Sequence, residues 1–290
     1  MGVKLMNMLK RVLAAGVLLT MFEANALARE SIVLATTTSV ENSGLLAYLL
    51  EQFGKESEVE VKVVARGTGQ AFRIAQNGDA DLVLAHHPAS EEKFVAEGFG
   101  VARVPVMFNY FTLVGPRNDP AGVTGSEDAF VALSRIARAG ETGTARFLSR
   151  GDESGTHRRE RELWDGAGKS VGAREQEWYL ETGAGMGATL SIAAELDAYT
   201  LTDRGTWLSF GNRGDLMALL EESEALFNPY SAILVDRERH GHVSDKAKEF
   251  LEWLTSPRGQ ESIASFRIDS QACFFPANVS SWDSFQPTAP

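Results

Sequence analysis

The 290-residue chain has one cysteine, five histidines and too few basic residues to balance its acids. A lone Cys273 excludes an intrachain disulfide in any redox compartment. The histidines, His86, His87, His157, His240 and His242, show no metal-ligand spacing beyond a loose pair or two, so no metal centre is expected. Lys and Arg number 28 against 39 Asp and Glu, a formal charge of −11. Nucleic acids and anionic membranes are poor partners for such a surface. Beyond the N-terminus, no apolar run is long enough to span a bilayer.

The N-terminus itself is informative. Lys4, Lys10 and Arg11 precede an apolar run from Val12 to Phe22, about half the length of a membrane-spanning helix. Ala26-x-Ala28 follows as a small-residue cleavage site, so residues 1–28 read as a signal peptide cleaved near Ala28/Arg29. Arg29, not a cysteine, stands directly after the cleavage point, which argues against a lipid anchor. A freely diffusing secreted chain needs an outer membrane to retain it, hence the expectation of a periplasmic protein. Losing Lys4, Lys10, Arg11 and Glu23 takes 28 basic and 39 acidic residues to 25 and 38, and the net charge from −11 to −13. An acidic protein that binds an anion must therefore use local donors. The roughly 262 mature residues suit one large domain or two small lobes.

Strand-like and helix-like segments alternate. Ser31–Thr36, Val59–Val64, Ala80–Ala85, Val106–Val114, Arg146–Ser149 and Tyr230–Val235 read as strands. Ser43–Phe53, Gly69–Gln76, Glu91–Glu97, Ala129–Ala139 with Asp128 as its cap, Thr156–Trp164, Met186–Leu196, Leu216–Glu222 and Ser244–Leu254 read as helices. Such alternation predicts an α/β fold with mostly parallel sheets. Two apolar strands, Phe108–Val114 and Tyr230–Val235, flank the middle third and read as crossings between lobes. Lobe I is then residues 29–114 and 226–290, and lobe II residues 115–225; one continuous sheet is the alternative.

Four turns between strand and helix are rich in glycine or hydroxyls: Thr36–Ser39, Arg66–Gln70, Ser149–His157 and Gly183–Gly187. In open α/β sheets such turns gather beyond the carboxyl ends of strands. Helix N-termini there offer free N–H groups and partial positive charge to an anion. Helix capping explains any one turn; four together, poor in lysine, point to an anion cleft. Arg150 stands out because its fork neutralises a compact dianion while donating two hydrogen bonds. Asp152 can orient it, and Ser154, Gly155 and Thr156 open the next helix. As a plain surface ion pair, Arg150 and Asp152 would contribute little.

Enzyme readings fare worse. Ser154 and His157 lie along one helix start, and no G-x-S-x-G elbow exists. Gly168-Lys169-Ser170 lacks the earlier glycine of a phosphate loop, since Leu163 stands there. Gly183-x-Gly185-x-x-Ala188, with Asp203 beyond it, fits a dinucleotide fingerprint loosely, but the preceding strand is short. His86-His87-Pro88 follows a buried strand; one of the pair reaches the cleft, or both are structural.

The segments Ala35–Ser39 with Ser43–Leu46, Gly67–Ala71, Asn77–Asp81, Ser149–His157, Gly185–Leu190 and Ala198–Gly205 resemble the tungstate-binding proteins of ABC importers, within the type II periplasmic binding class. The resemblance spans about residues 31–275. It implies a two-lobed type II periplasmic binding fold with a ligand cleft between the lobes. Thr37, Thr38, Ser39, Thr68, Arg150, Ser154, Gly155 and Thr156 would line that cleft, with Arg150, Ser154 and Thr156 foremost. The implied partners are a small oxyanion and an importer permease in the inner membrane, with a monomeric chain, no cofactor, no nucleic acid and no direct metal coordination. Unprotonated tungstate, molybdate and sulfate accept hydrogen bonds only, which suits turns rich in donors better than phosphate does. Tungstate in preference to molybdate follows from the resemblance alone. A periplasmic phosphate or sulfate ester hydrolase using Ser154 is the contrasting class.

Overall fold

A computed structural model describes residues 30–172, 176–236 and 243–277. The signal-peptide expectation lies outside these residues, as do His240, His242 and most of the proline-bearing tail. Among the described residues no helix is long and apolar enough to cross a membrane.

The chain opens with β1 (Ser31–Thr37), α1 (Thr38–Asn42), α2 (Leu45–Phe53), β2 (Glu60–Arg66), α3 (Thr68–Gln76), β3 (Leu82–Ala85), α4 (Pro88–Ala96) and the long β4 (Gly100–Pro116). The middle third holds α5 (Ala129–Glu141), β5 (Phe147–Ser149), α6 (Gly155–Gly166), β6 (Tyr179–Glu181), α7 (Met186–Leu196), β7 (Thr200–Asp203), α8 (Arg204–Ser209) and β8 (Leu216–Leu220). The chain then returns through β9 (Phe227–Val235), α9 (Asp245–Thr255), α10 (Pro257–Ser265), the short β10 (Arg267–Ile268) and β11 (Gln271–Ala272), and β12 (Phe275–Pro276).

Strand order β12-β4-β9-β3-β1-β2 builds the first sheet, and β7 and β8 pair with the far end of β4. The expectation of mostly parallel pairing is corrected. β1 runs parallel to β2 and β3, and β5 to β6, whereas β9, β7, β8 and β12 all run antiparallel to β4. Chain reversal through β9 imposes this, because the strand comes back from the middle third in the opposite sense. β4 pairs with β9 as far as Tyr110↔Phe227 and with β7 from Phe111↔Asp203, so its partners change at Tyr110/Phe111.

Burial explains why β3 is an unbroken apolar run. Leu82 and Leu84 enter one core, shared with helices α2, α9 and α10, while Val83 and Ala85 enter another beneath α3 and α4. A strand covered on both faces has no polar side to show. A separate core in the middle third stacks Phe147, Trp164, Trp178 and Tyr179. Cys273 is fully buried in the first core; burial and the nearby Asp203 carboxylate push its thiol far above the ordinary range, so it is packing, not a reactive thiolate.

Leu216–Glu222, expected as a helix, is instead β8. Its leucines at positions 216, 219 and 220 imitate helical spacing, but the exposed edge of β4 offers a backbone ladder, and tertiary pairing overrides propensity. Unforeseen α8 is a capped turn: Asp203 accepts from Thr206 N at 3.0 Å and from its hydroxyl at 2.6 Å. α5 begins where expected, with Asp128 accepting from Val131 N at 2.8 Å.

Gly140 sits where helix α5 presses on Trp178, and a Cβ there would lie 2.4 Å from Trp178 Cγ. Gly140→Val is expected to destabilise the protein by about 1–3 kcal/mol, read as a lowered urea midpoint; an unchanged midpoint would mean that helix and indole are not in contact.

Candidate functional site

Three of the four turns meet at one place. Thr37 ends β1, Thr38 and Ser39 begin α1, Thr68 opens α3, and Gly155 and Thr156 open α6. Thr37, Ser39, Thr68, Arg150, Ser154 and Thr156 are buried, and Thr38 is half-buried. A Cβ on Gly155 would stand 3.0 Å from Thr68 Oγ1 and 3.1 Å from His86 Cε1. The start of α6 therefore abuts the first sheet's turns, with room for a side chain at residue 155 only if Thr68 or His86 gives way. The fourth turn joins at one remove: Thr182 Oγ1 donates to the Arg150 carbonyl at 3.1 Å, while Gly183, Gly185 and Gly187 are exposed.

Each turn is built from its own sequence. Ser154 caps α6, its Oγ accepting from His157 N at 3.2 Å. Asp152 Oδ1 accepts from Ser154 N at 3.2 Å, and Oδ2 pairs with Arg150 Nη2. The Arg150–Asp152 pair foreseen from the sequence is thus formed, and it is almost wholly buried on the arginine side. Arg150 Nε and Thr68 Oγ1 are among the buried side-chain donors that find no acceptor among the described residues. A buried donor left unpaired costs about 1–3 kcal/mol, so two at one site mark a place arranged for an acceptor.

The question of the paired histidines is answered by opposite orientations. His86 points inward: Nε2 lies 3.1 Å from Ser39 Oγ and Nδ1 3.0 Å from Asn228 Oδ1. His87 points away, its Nδ1 capping α4 at Ser90 N and its Nε2 3.5 Å from Glu162 of α6. Arg158 of α6 also donates to Ser90 Oγ at 3.0 Å. These contacts tie α6 to α4 beside the site.

Asn109, Asn228 and Tyr230 belong to the same buried network and were missed from sequence. Asn228 Nδ2 donates to Asn109 Oδ1 at 2.7 Å and to Tyr230 Oη at 3.1 Å. A polar residue inside an otherwise apolar crossing strand was the available signal. Beneath Arg150, buried Glu160 accepts from Ser149 Oγ at 2.8 Å and Tyr179 Oη at 2.6 Å. Burial raises its carboxyl to about 7, against these stabilising bonds. Among the described residues no cluster of His, Cys, Asp and Glu could hold a metal ion.

The chain as a whole is similar to a known group of proteins. Residues 23–258 match the model of the PBP superfamily domain. The tungstate-binding protein TupA of Peptoclostridium acidaminophilum is 43% identical over 242 residues, 82% of each chain. The structure of tungstate-binding protein TupA from Desulfovibrio alaskensis G20 superposes with a TM-score of 0.75 at 41% identity, covering 85% of this chain and 98% of that one. The crystal structure of the tungstate ABC transporter from Geobacter sulfurreducens gives 0.73 at 44% identity, covering 82% and 100%. The two-lobed α/β fold expected from the sequence is borne out.

Glu160 supplies a pH test of the support beneath Arg150. Its carboxyl ionises near the ordinary 4.5 when unfolded and near 7 when folded, so the folded state holds the proton longer. Stability is expected to fall as pH rises from about 4.5 to about 7, by on the order of 3 kcal/mol, and to level off above. Glu160→Gln should lack that contribution. Urea unfolding of both proteins at several pH values checks this; a wild-type minus variant difference that is flat in pH would place the carboxyl in an ordinary environment.

Proposed function

The chain belongs to the PBP superfamily and, within it, to the tungstate-binding proteins, and we propose that it captures a tetrahedral oxyanion, tungstate, in the periplasm for an ABC importer. The observation that carries this reading is that Thr68 Oγ1, a buried donor without an acceptor, abuts the start of α6, while Arg150 on the turn just before that helix holds a second such donor, Nε. Thr37, Thr38, Ser39, Thr68, Arg150, Ser154, Gly155 and Thr156 would line the site. Hydroxyls and N–H groups would bind the oxyanion's oxygens, so neither a cofactor nor a side chain on the metal atom is needed.

Capture proceeds by closure of two lobes about the strand pair β4 and β9. One lobe brings Thr37–Ser39 and Thr68, the other Arg150 and the α6 N-terminus. Charge-assisted hydrogen bonds contribute about 1.5–3 kcal/mol each. Six or seven of them could support nanomolar binding, about −12 kcal/mol, after closure and desolvation are subtracted. The closed chain would then dock, as a monomer, on the permease in the inner membrane.

Phosphate fits less well because it keeps a proton and calls for an acceptor. Asp152, the nearest acid on the Arg150 turn, is engaged by Arg150 and Ser154 N. Molybdate matches tungstate in size and charge, so it is the second ligand to test. Against ester hydrolysis, the contact from His157 to Ser154 Oγ is a main-chain N–H, and His157 Nδ1 accepts from Glu153 N at 3.1 Å. Ser154 is thereby a helix cap in place of a nucleophile with an adjacent base.

Isothermal calorimetry with tungstate, molybdate, sulfate and phosphate is the deciding experiment; a response to the first two is expected, and silence from both would end the proposal. Arg150→Ala is expected to weaken binding at least about tenfold with little change in melting temperature, and an unaltered affinity would move the site elsewhere. Gly155→Val should likewise lower affinity by blocking the approach of α6 to Thr68 and His86, measured in the same titration against an unchanged thermal midpoint.

A further inference from the structure

His86 stands at the meeting point of the lobes with both ring nitrogens engaged. Asn228 directs its amide protons to Asn109 Oδ1 and Tyr230 Oη. Its Oδ1 is therefore the acceptor, and His86 Nδ1 carries a proton. The ring is buried and stacked on Tyr230 with centroids 4.8 Å apart, so it cannot turn to exchange roles.

The hydrogen-bond count at Nε2, 3.1 Å from Ser39 Oγ, then has two solutions. With a neutral ring, Nε2 is a lone pair and the single hydroxyl proton of Ser39 must go to it. With an imidazolium, Nε2–H donates to Ser39 Oγ, and the Ser39 proton is free to reach a ligand. Thr37 Oγ1 lies 3.0 Å from Ser39 Oγ and responds to the same choice. A hydroxyl has one proton to give, so the ring's charge decides whether Ser39 is a donor toward the cleft.

Resting on the site proposed above, we propose that oxyanion capture takes up a proton at His86, and that the Asn228–His86–Ser39 relay thereby turns Ser39 toward the ligand. His86 is a positioning residue in this scheme. The charged groups facing it act in both directions. Asp203, at the start of α8, favours the imidazolium, whereas His87 at the start of α4 and Arg150 on the β5–α6 turn oppose it. Tyr230 of β9 stays neutral because burial lifts its phenol far above the ordinary range. In the free protein, burial holds His86 below its ordinary value, so the ring is neutral near pH 7. A dianion beside Ser39 favours the charged form. Protonation then accompanies binding, and affinity rises as pH falls.

The test is calorimetry of the mature protein with sodium tungstate in buffers of different ionisation enthalpy, between about pH 6.5 and 8.5. Uptake of about 0.5–1 proton is expected, with affinity falling by up to about tenfold per pH unit across the upper part of that range. His86→Gln, whose amide can donate to Ser39 without titrating, should bind with no uptake and a flat profile. Glu160→Gln should keep the wild-type uptake, which separates His86 from the Glu160 carboxyl that titrates in the same range. Tight wild-type binding with a buffer-independent enthalpy overturns the relay and leaves the oxyanion reading intact. Uptake that survives His86→Gln overturns it as well, whether or not Glu160→Gln removes it. If tungstate does not bind at any pH, the functional reading falls and the relay with it. Should His86→Gln not fold, the ¹⁵N imidazole shifts of His86 with and without tungstate decide the matter, and an unchanged neutral signal overturns the relay.

Discussion

Strand β4 serves two ladders end to end in 17 residues. Its first part pairs with β9 and its last part with β7 and β8. Because one continuous extended segment carries both, each lobe's sheet is set in register relative to the other. The change of partners falls at Tyr110 and Phe111, the place where a bend between the lobes would lie. The buried polar side chains of that crossing are cross-strand neighbours: Asn109 pairs in register with Asn228. Through Asn228 the crossing reaches His86, and through His86 it reaches Ser39. The strand crossing and the site are thus one hydrogen-bonded structure.

The second constraint is charge. An acidic chain repels anions at a distance, and screening confines that repulsion to roughly a nanometre. Close to the site, the sign is reversed by groups that contribute little to the net charge: hydroxyls, helix-start N–H groups and one arginine. Arg150 is offset by Asp152, which fixes its fork at a desolvation cost. What remains is a set of buried, oriented donors, which act on a dianion more strongly than solvated lysines would. Glu160 continues this arrangement one layer deeper, by holding Ser149 and thus the strand end from which Arg150 projects.

Legibility followed the range of the interactions. Arg150, Asp152 and Ser154 could be read together because capping and Arg–Asp pairing act over two or three residues. Asp128 as a cap and Met186–Leu196 as a helix were equally local. Leu216–Glu222 was misread because its leucine spacing suits a helix, and only the edge of β4 makes it a strand. The largely antiparallel sheet was missed for a similar reason, since strand direction depends on the path of a chain that leaves and returns over a hundred residues. Asn109, Asn228 and Tyr230 gave no local signal of acting with His86, which lies in another part of the sequence.

By itself the sequence determined the α/β class, the anion-suited chemistry of the turns and the pairing of Arg150 with Asp152, since each depends on neighbours along the chain. Which histidine faces inward, which turns meet, and how closely residue 155 approaches Thr68 and His86 were decided by tertiary structure alone. The reason is geometric. These outcomes depend on contacts between His86, Thr68 and Gly155, brought within van der Waals distance only when β4 and β9 set the two lobes face to face.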